Sequence, residues 1–181
     1  MKTPQKKKGF TLVETLVAVG ILVAAITGAF SAAQSGLSSY SNSKNQAIAI
    51  NLAQEAVEYI RATRDSNKMV TGNNWLTGIE AGSGGACAFN SSCIVNVLNT
   101  SQNASCAGAC PVLKQDPSTG YYGYTSGWPN TIFTREVLLT AINSPGCVGN
   151  QCKEISVLVT VKWNKGVTTK IYKTREYLFN W

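Results

Sequence analysis

Between Lys8 and Lys44 a single side chain carries a charge, Glu14, and it stands inside an apolar run that opens at Phe10. A carboxylate in lipid is costly without a partner. Its chemistry there reduces to two options. It sits shallow, near headgroups and the positive end of a helix, or it pairs with a cation. Six cysteines, Cys87, Cys93, Cys106, Cys110, Cys147 and Cys152, are the other residues with chemistry of their own. Their even number, in a segment expected outside the cytoplasm, favours disulfides. Zinc is the rival reading. The spacings C-x5-C, C-x3-C and C-x4-C, with no histidine in the chain, fit no familiar finger or ribbon. Sequential pairing is the expectation, each pair enclosing a short polar loop. Catalysis finds little support. There is no histidine for general-base work, no G-x-S-x-G, no P-loop and no carboxylate cluster, so no catalytic residue, metal or cofactor is assigned.

The element that must position Glu14 is a helix long enough to cross a membrane. Phe10 to Ala33 is 24 residues with few polar groups, roughly 36 Å as a helix against a hydrocarbon core of about 30 Å. The chain has 16 basic and 9 acidic side chains, a net of +7. Four of those lysines, Lys2, Lys6, Lys7 and Lys8, precede Phe10, so the basicity belongs largely to the extreme N-terminus. Lysines ahead of an apolar run predict a cytoplasmic start and an outward C-terminus. A secretory signal peptide has the same parts, and "TGAFSAAQSG" could serve as its cleavage region.

The stretch "KKKGFTLVETLVAVGIL" resembles the class III leader of type IV pilins and type II secretion pseudopilins: basic leader, Gly-Phe junction, Thr-Leu and Glu at fixed spacing. The resemblance implies that a prepilin peptidase cuts after Gly9 and methylates the new N-terminus, Phe10. Residues 1–9 are then a leader peptide, and the apolar run stays in the mature protein. It also implies that Glu14 is an assembly charge, opposite the amine of a neighbouring subunit. The expected partners are the peptidase, other pilins or pseudopilins through the N-terminal helix, and a pilus or secretion assembly platform. The expected location is the bacterial cytoplasmic membrane as a single-pass protein with its C-terminus outside. From there the chain would enter a pilus at the cell surface or a periplasmic pseudopilus. Gly20, Ala24, Ala25, Gly28, Ala29 and Ala32 would let such helices approach closely, though they are also ordinary transmembrane composition.

From Asn45 to Asp65, Ala49, Leu52, Ala53, Ala56 and Ile60 recur at three-to-four spacing, an amphipathic helix with Glu55, Glu58, Arg61 and Arg64 mostly off the stripe. The serine-rich stretch from Ser35 to Ser43 is weak in helix propensity and is expected to bend or loosen the junction. The segment "AQEAVEYIRATRD" is similar to the continuation seen in minor pilins of the prepilin-modification type. That likeness implies a minor component of a type IV pilus, with the secretion pseudopilin as the alternative. Residues 66–129 read as cysteine-bearing loops and short strands. "TIFTREVLLT", "EISVLVTVKW" and "VTTKIYKTREYLFNW" alternate as strands of an antiparallel meander over 130–181, with Gly166 in a hairpin turn. The expected fold class is α+β: residues 10–44 as a transmembrane and assembly helix, and residues 45–181 as a head in which the stripe covers one face of the sheet. A further alternative is DNA or surface binding through Lys162, Lys165, Lys170, Lys173 and Arg175 with Trp163 and Tyr172. Against it, lysines on strand edges are commonly solvated and discourage aggregation.

Overall fold

Alternation in the last third of the chain and three-to-four periodicity in the first meet in one α+β fold. The computed structural model describes residues 9–106, 108–142 and 146–181; the leader lysines lie outside them. In chain order the elements are helix α1 (Leu12–Met69) and strands β1 (Ser92–Ile94), β2 (Ala104–Ser105), β3 (Val112–Gln115), β4 (Tyr122–Gly123), β5 (Asn130–Ala141), β6 (Glu154–Lys165) and β7 (Thr168–Phe179). Contacts divide the chain into two units, Met1–Lys44 and Asn45–Trp181.

In the first unit every described residue from Gly9 to Ser41 is exposed. The apolar side chains Leu12, Val13, Leu16, Val17, Val19, Ile21, Leu22 and Val23 are each more than half uncovered. A continuous apolar surface of this kind marks contact with lipid or with another protein. By length and composition the helix can cross a membrane. The expected bend at Ser35 to Ser43 is not found, because α1 continues through it. A serine costs at most about 0.7 kcal/mol relative to alanine in a helix interior. No proline interrupts the stretch.

In the second unit Ala49, Leu52, Ala53, Ala56, Val57 and Ile60 of α1 are buried. Three of them are alanines, which let the helix close onto the sheet. It meets Phe133, Val137 and Leu139 of β5, Ile155, Val157, Val159, Val161 and Trp163 of β6, and Leu178 of β7 in one core. Arg64, expected off the stripe, is buried at its end, with its guanidinium 4.1 Å from the centre of the Trp181 ring. The helix also runs one turn beyond Asp65, to Met69.

β5, β6 and β7 form the expected antiparallel meander, in register from Phe133 opposite Trp163 to Ala141 opposite Ile155, and from Glu154 opposite Phe179 to Lys165 opposite Thr168. Gly166 takes φ +60° in the two-residue turn, a conformation costly for a side chain with a Cβ. The four short strands extend the sheet on the far side of β5. Its C-terminal half pairs β1 and its N-terminal half pairs β3, with a register shift between Val112 and Lys114. β2 and β4 add to β1 and β3. Disulfides close the loops at Cys87–Cys93, Cys106–Cys110 and Cys147–Cys152, with Cα separations of 5.1, 4.9 and 5.1 Å.

Candidate functional site

Gly9 and Phe10 lie just ahead of α1 and are fully accessible; Phe10 is 79 % exposed. A Cβ added at Gly9 would meet nothing within 4 Å. Among the described residues, packing therefore does not require a glycine there.

Thr11 is the N-cap of α1. Its Oγ1 accepts the backbone N–H of Glu14 at 3.3 Å, which places Glu14 at the third position of the first turn. The run Thr11-Leu12-Val13-Glu14 has the spacing of a capping box. The carboxylate also faces the positive end of the helix dipole. Glu14 makes no salt bridge among the described residues. Thr15 tightens the same turn by donating its hydroxyl to the Leu12 carbonyl at 2.8 Å. The junction, the cap and the carboxylate thus occupy one short stretch at the start of an uncovered apolar helix. Thr11 was missed as a cap at the level of sequence, although a threonine three residues before a glutamate is the signal that could have found it.

The residues considered for nucleic-acid binding are not brought together. Trp163 is buried in the core and Tyr172 packs against it, so neither ring offers a face for stacking on a base. Lys162 is held by Glu136 at 2.6 Å. Lys173 and Arg175 alone of the set stand on the outward face of β7 between exposed apolar residues.

The second unit holds one charged group that sequence reasoning missed. Arg135, at an inward position of β5, is fully buried. Its Nη1 donates to the Leu52 carbonyl at 2.9 Å and to Glu55 at 2.6 Å, and its Nη2 donates to the Val95 carbonyl at 2.7 Å. The planar guanidinium thereby ties α1, β5 and the segment after β1 together. Burial pushes the neighbouring Tyr124 hydroxyl above its ordinary pKa, an effect that Arg135 opposes. The signal was there: inward positions 133, 135, 137 and 139 read Phe, Arg, Val, Leu, a cation on an otherwise apolar face. At the surface the Glu176 carboxylate, accepting a hydrogen bond from Arg61 at 2.8 Å, raises the arginine's pKa. Among the described residues no group of three or more His, Cys, Asp or Glu could hold a metal ion.

No curated protein and no solved structure matches the chain. Residues 4–30 match the family model of the prokaryotic N-terminal methylation motif, and with it the chain carries the prepilin leader signature of type IV pilins and pseudopilins.

Proposed function

We propose that this chain is a minor structural subunit of a type IV pilus. It is made as a membrane-inserted precursor, cut after Gly9 by a prepilin peptidase, methylated on Phe10, and drawn into the filament through α1. The observation that carries the reading is the methylation motif over residues 4–30 on an accessible Gly9-Phe10 junction, directly before the first part of α1, whose apolar side chains from Leu12 to Val23 are exposed. The minor-pilin assignment rests on the likeness of the "AQEAVEYIRATRD" segment. The secretion pseudopilus shares the leader and remains the second assembly open to the chain.

Cleavage creates an ammonium on Phe10, four residues from Glu14. Within one chain both groups sit at the same end of the helix. In a staggered bundle the amine of an incoming subunit comes beside a neighbour's Glu14. Opposite charges about 4 Å apart contribute about 4 kcal/mol at an effective dielectric of about 20. An unpaired partner left in an apolar bundle costs about 3–5 kcal/mol. The pair therefore acts chiefly as a register check on docking. Glu14→Gln keeps the shape of the first turn and removes the charge. Insertion and cleavage should survive, while the amount in sheared filaments falls by at least about 100-fold relative to the membrane fraction. Equal incorporation of Glu14→Gln and wild type at matched expression would defeat the docking role.

A further inference from the structure

β7 is an edge strand of twelve residues that pairs β6 and, among the described residues, nothing else. Its far edge therefore presents a row of backbone N–H and C=O groups without ladder partners. Alternate side chains face the core at Tyr172, Thr174, Glu176 and Leu178, and the opposite face carries Ile171, Lys173, Arg175, Tyr177 and Phe179. Lys173 and Arg175 stand opposite Thr160 and Leu158 of β6, neither an acid. The nearby Glu136 is engaged by Lys162 at 2.6 Å. Neither Lys173 nor Arg175 has a salt bridge among the described residues.

Two occupants of that edge are separated by charge. A second copy of β7 laid antiparallel and centred on the strand would set Lys173 against itself, Arg175 against itself, or one against the other, and like charges directly opposite destabilise a pair. Protection from aggregation would need only polar or charged side chains. Here Ile171, Tyr177 and Phe179 are 54 %, 46 % and 51 % exposed and flank the two cations. An apolar, cationic, cationic, apolar, apolar order at alternate positions is complementary to one kind of strand.

We propose that β7 receives an extended strand of another protein, by β-augmentation, whose side chains on the same face carry two alternate carboxylates flanked by apolar residues. Backbone bonds to the free edge supply affinity. The carboxylates opposite Lys173 and Arg175 fix register, and the flanking residues cover Ile171, Tyr177 and Phe179. This concerns the second unit alone and stands whichever assembly the leader serves.

The test uses the full chain in detergent and two synthetic peptides of equal length, alternating valine and threonine. One carries glutamate at the two alternate positions and the other carries lysine. Affinity is read by fluorescence anisotropy, and the bound site by amide hydrogen exchange over 168–179. The glutamate peptide should bind about tenfold tighter than the lysine peptide. Its advantage should shrink with added salt, and its binding should slow exchange in β7. In Lys173→Glu/Arg175→Glu the preference should reverse, a gain of binding that loss of folding cannot produce. Equal affinity for both peptides, an unchanged preference in the double variant, or protection outside β7 would each overturn the proposal. So would β7 already protected by self-association in the free chain.

Discussion

Arg135 is the residue on which the second unit turns most sharply. A guanidinium at zero exposure with three protein acceptors is tolerated only because its partners are in place. Replacing it strands the acceptors it now satisfies. Arg135→Ala should lower stability by about 3 kcal/mol, with a cavity adding to the lost bonds. Arg135→Lys should recover little of it, because an ammonium lacks the planar fork that reaches all three groups. The midpoint of denaturant unfolding of the full chain in detergent measures both, and a midpoint unchanged in Arg135→Lys would contradict the bridging role. Asp116 offers a pH test. Its carboxylate accepts from the Ser118 backbone N–H at 2.9 Å and from the Thr119 hydroxyl at 2.7 Å, which hold its pKa below the ordinary 3.8. Since the folded value lies below the unfolded one, this contribution is complete above the unfolded pKa and is lost as pH falls through the folded one. Protection of the amides over 116–121, taken relative to intrinsic exchange at the same pH, should therefore fall in acid for the wild type and be already low in Asp116→Ala at neutral pH.

At the scale of elements, what was legible followed from periodicity. The stripe Ala49, Leu52, Ala53, Ala56 and Ile60 marked the buried face of α1, and Ile155 to Trp163 at alternate positions marked that of β6, because burial on one side imposes each period. Residues 66–129 read as loops and short strands, but the bounds and pairing of β1 to β4 were not legible. Each has two to four residues, too few for a pattern, and their pairing is decided by the far edge of β5. Ser35 to Ser43 misled because local propensity is a weak term beside the helical turns on either side of it. Arg64 misled because a charge was taken as a sign of exposure, whereas Trp181, distant in sequence, covers it. The three bridges join cysteines 6, 4 and 5 positions apart, each contributing about 2 kcal/mol in the chain-entropy account. Cys106 is the partly exposed member, while Cys87, Cys93, Cys110, Cys147 and Cys152 are buried. Limited reductant followed by alkylation should label Cys106 and Cys110 first. Earlier labelling of Cys87 or Cys152 would contradict the burial pattern as the controlling factor.

For the whole molecule, the proposed function rests on the methylation motif over residues 4–30 and on the exposed apolar stretch of α1 that it runs into. Half of the proposed site was readable at once, because Gly9, Phe10 and Glu14 lie at fixed spacing in one short stretch. Thr11 as a cap emerged only with the geometry of the first turn, and in the proposed assembly the complement of Glu14 belongs to another subunit, which one chain's sequence does not contain. The proposed function requires a cut between Gly9 and Phe10 that leaves the apolar helix in the mature chain. The measurement is the mass of the N-terminal peptide of the protein from its native cells. The predicted result is a peptide beginning at Phe10 and heavier than its sequence by one CH2, a methyl group in place of an amine hydrogen. A peptide that retains the leader lysines, or one that begins beyond the apolar run near Ala33 as a secretory signal peptide would leave it, would contradict the account.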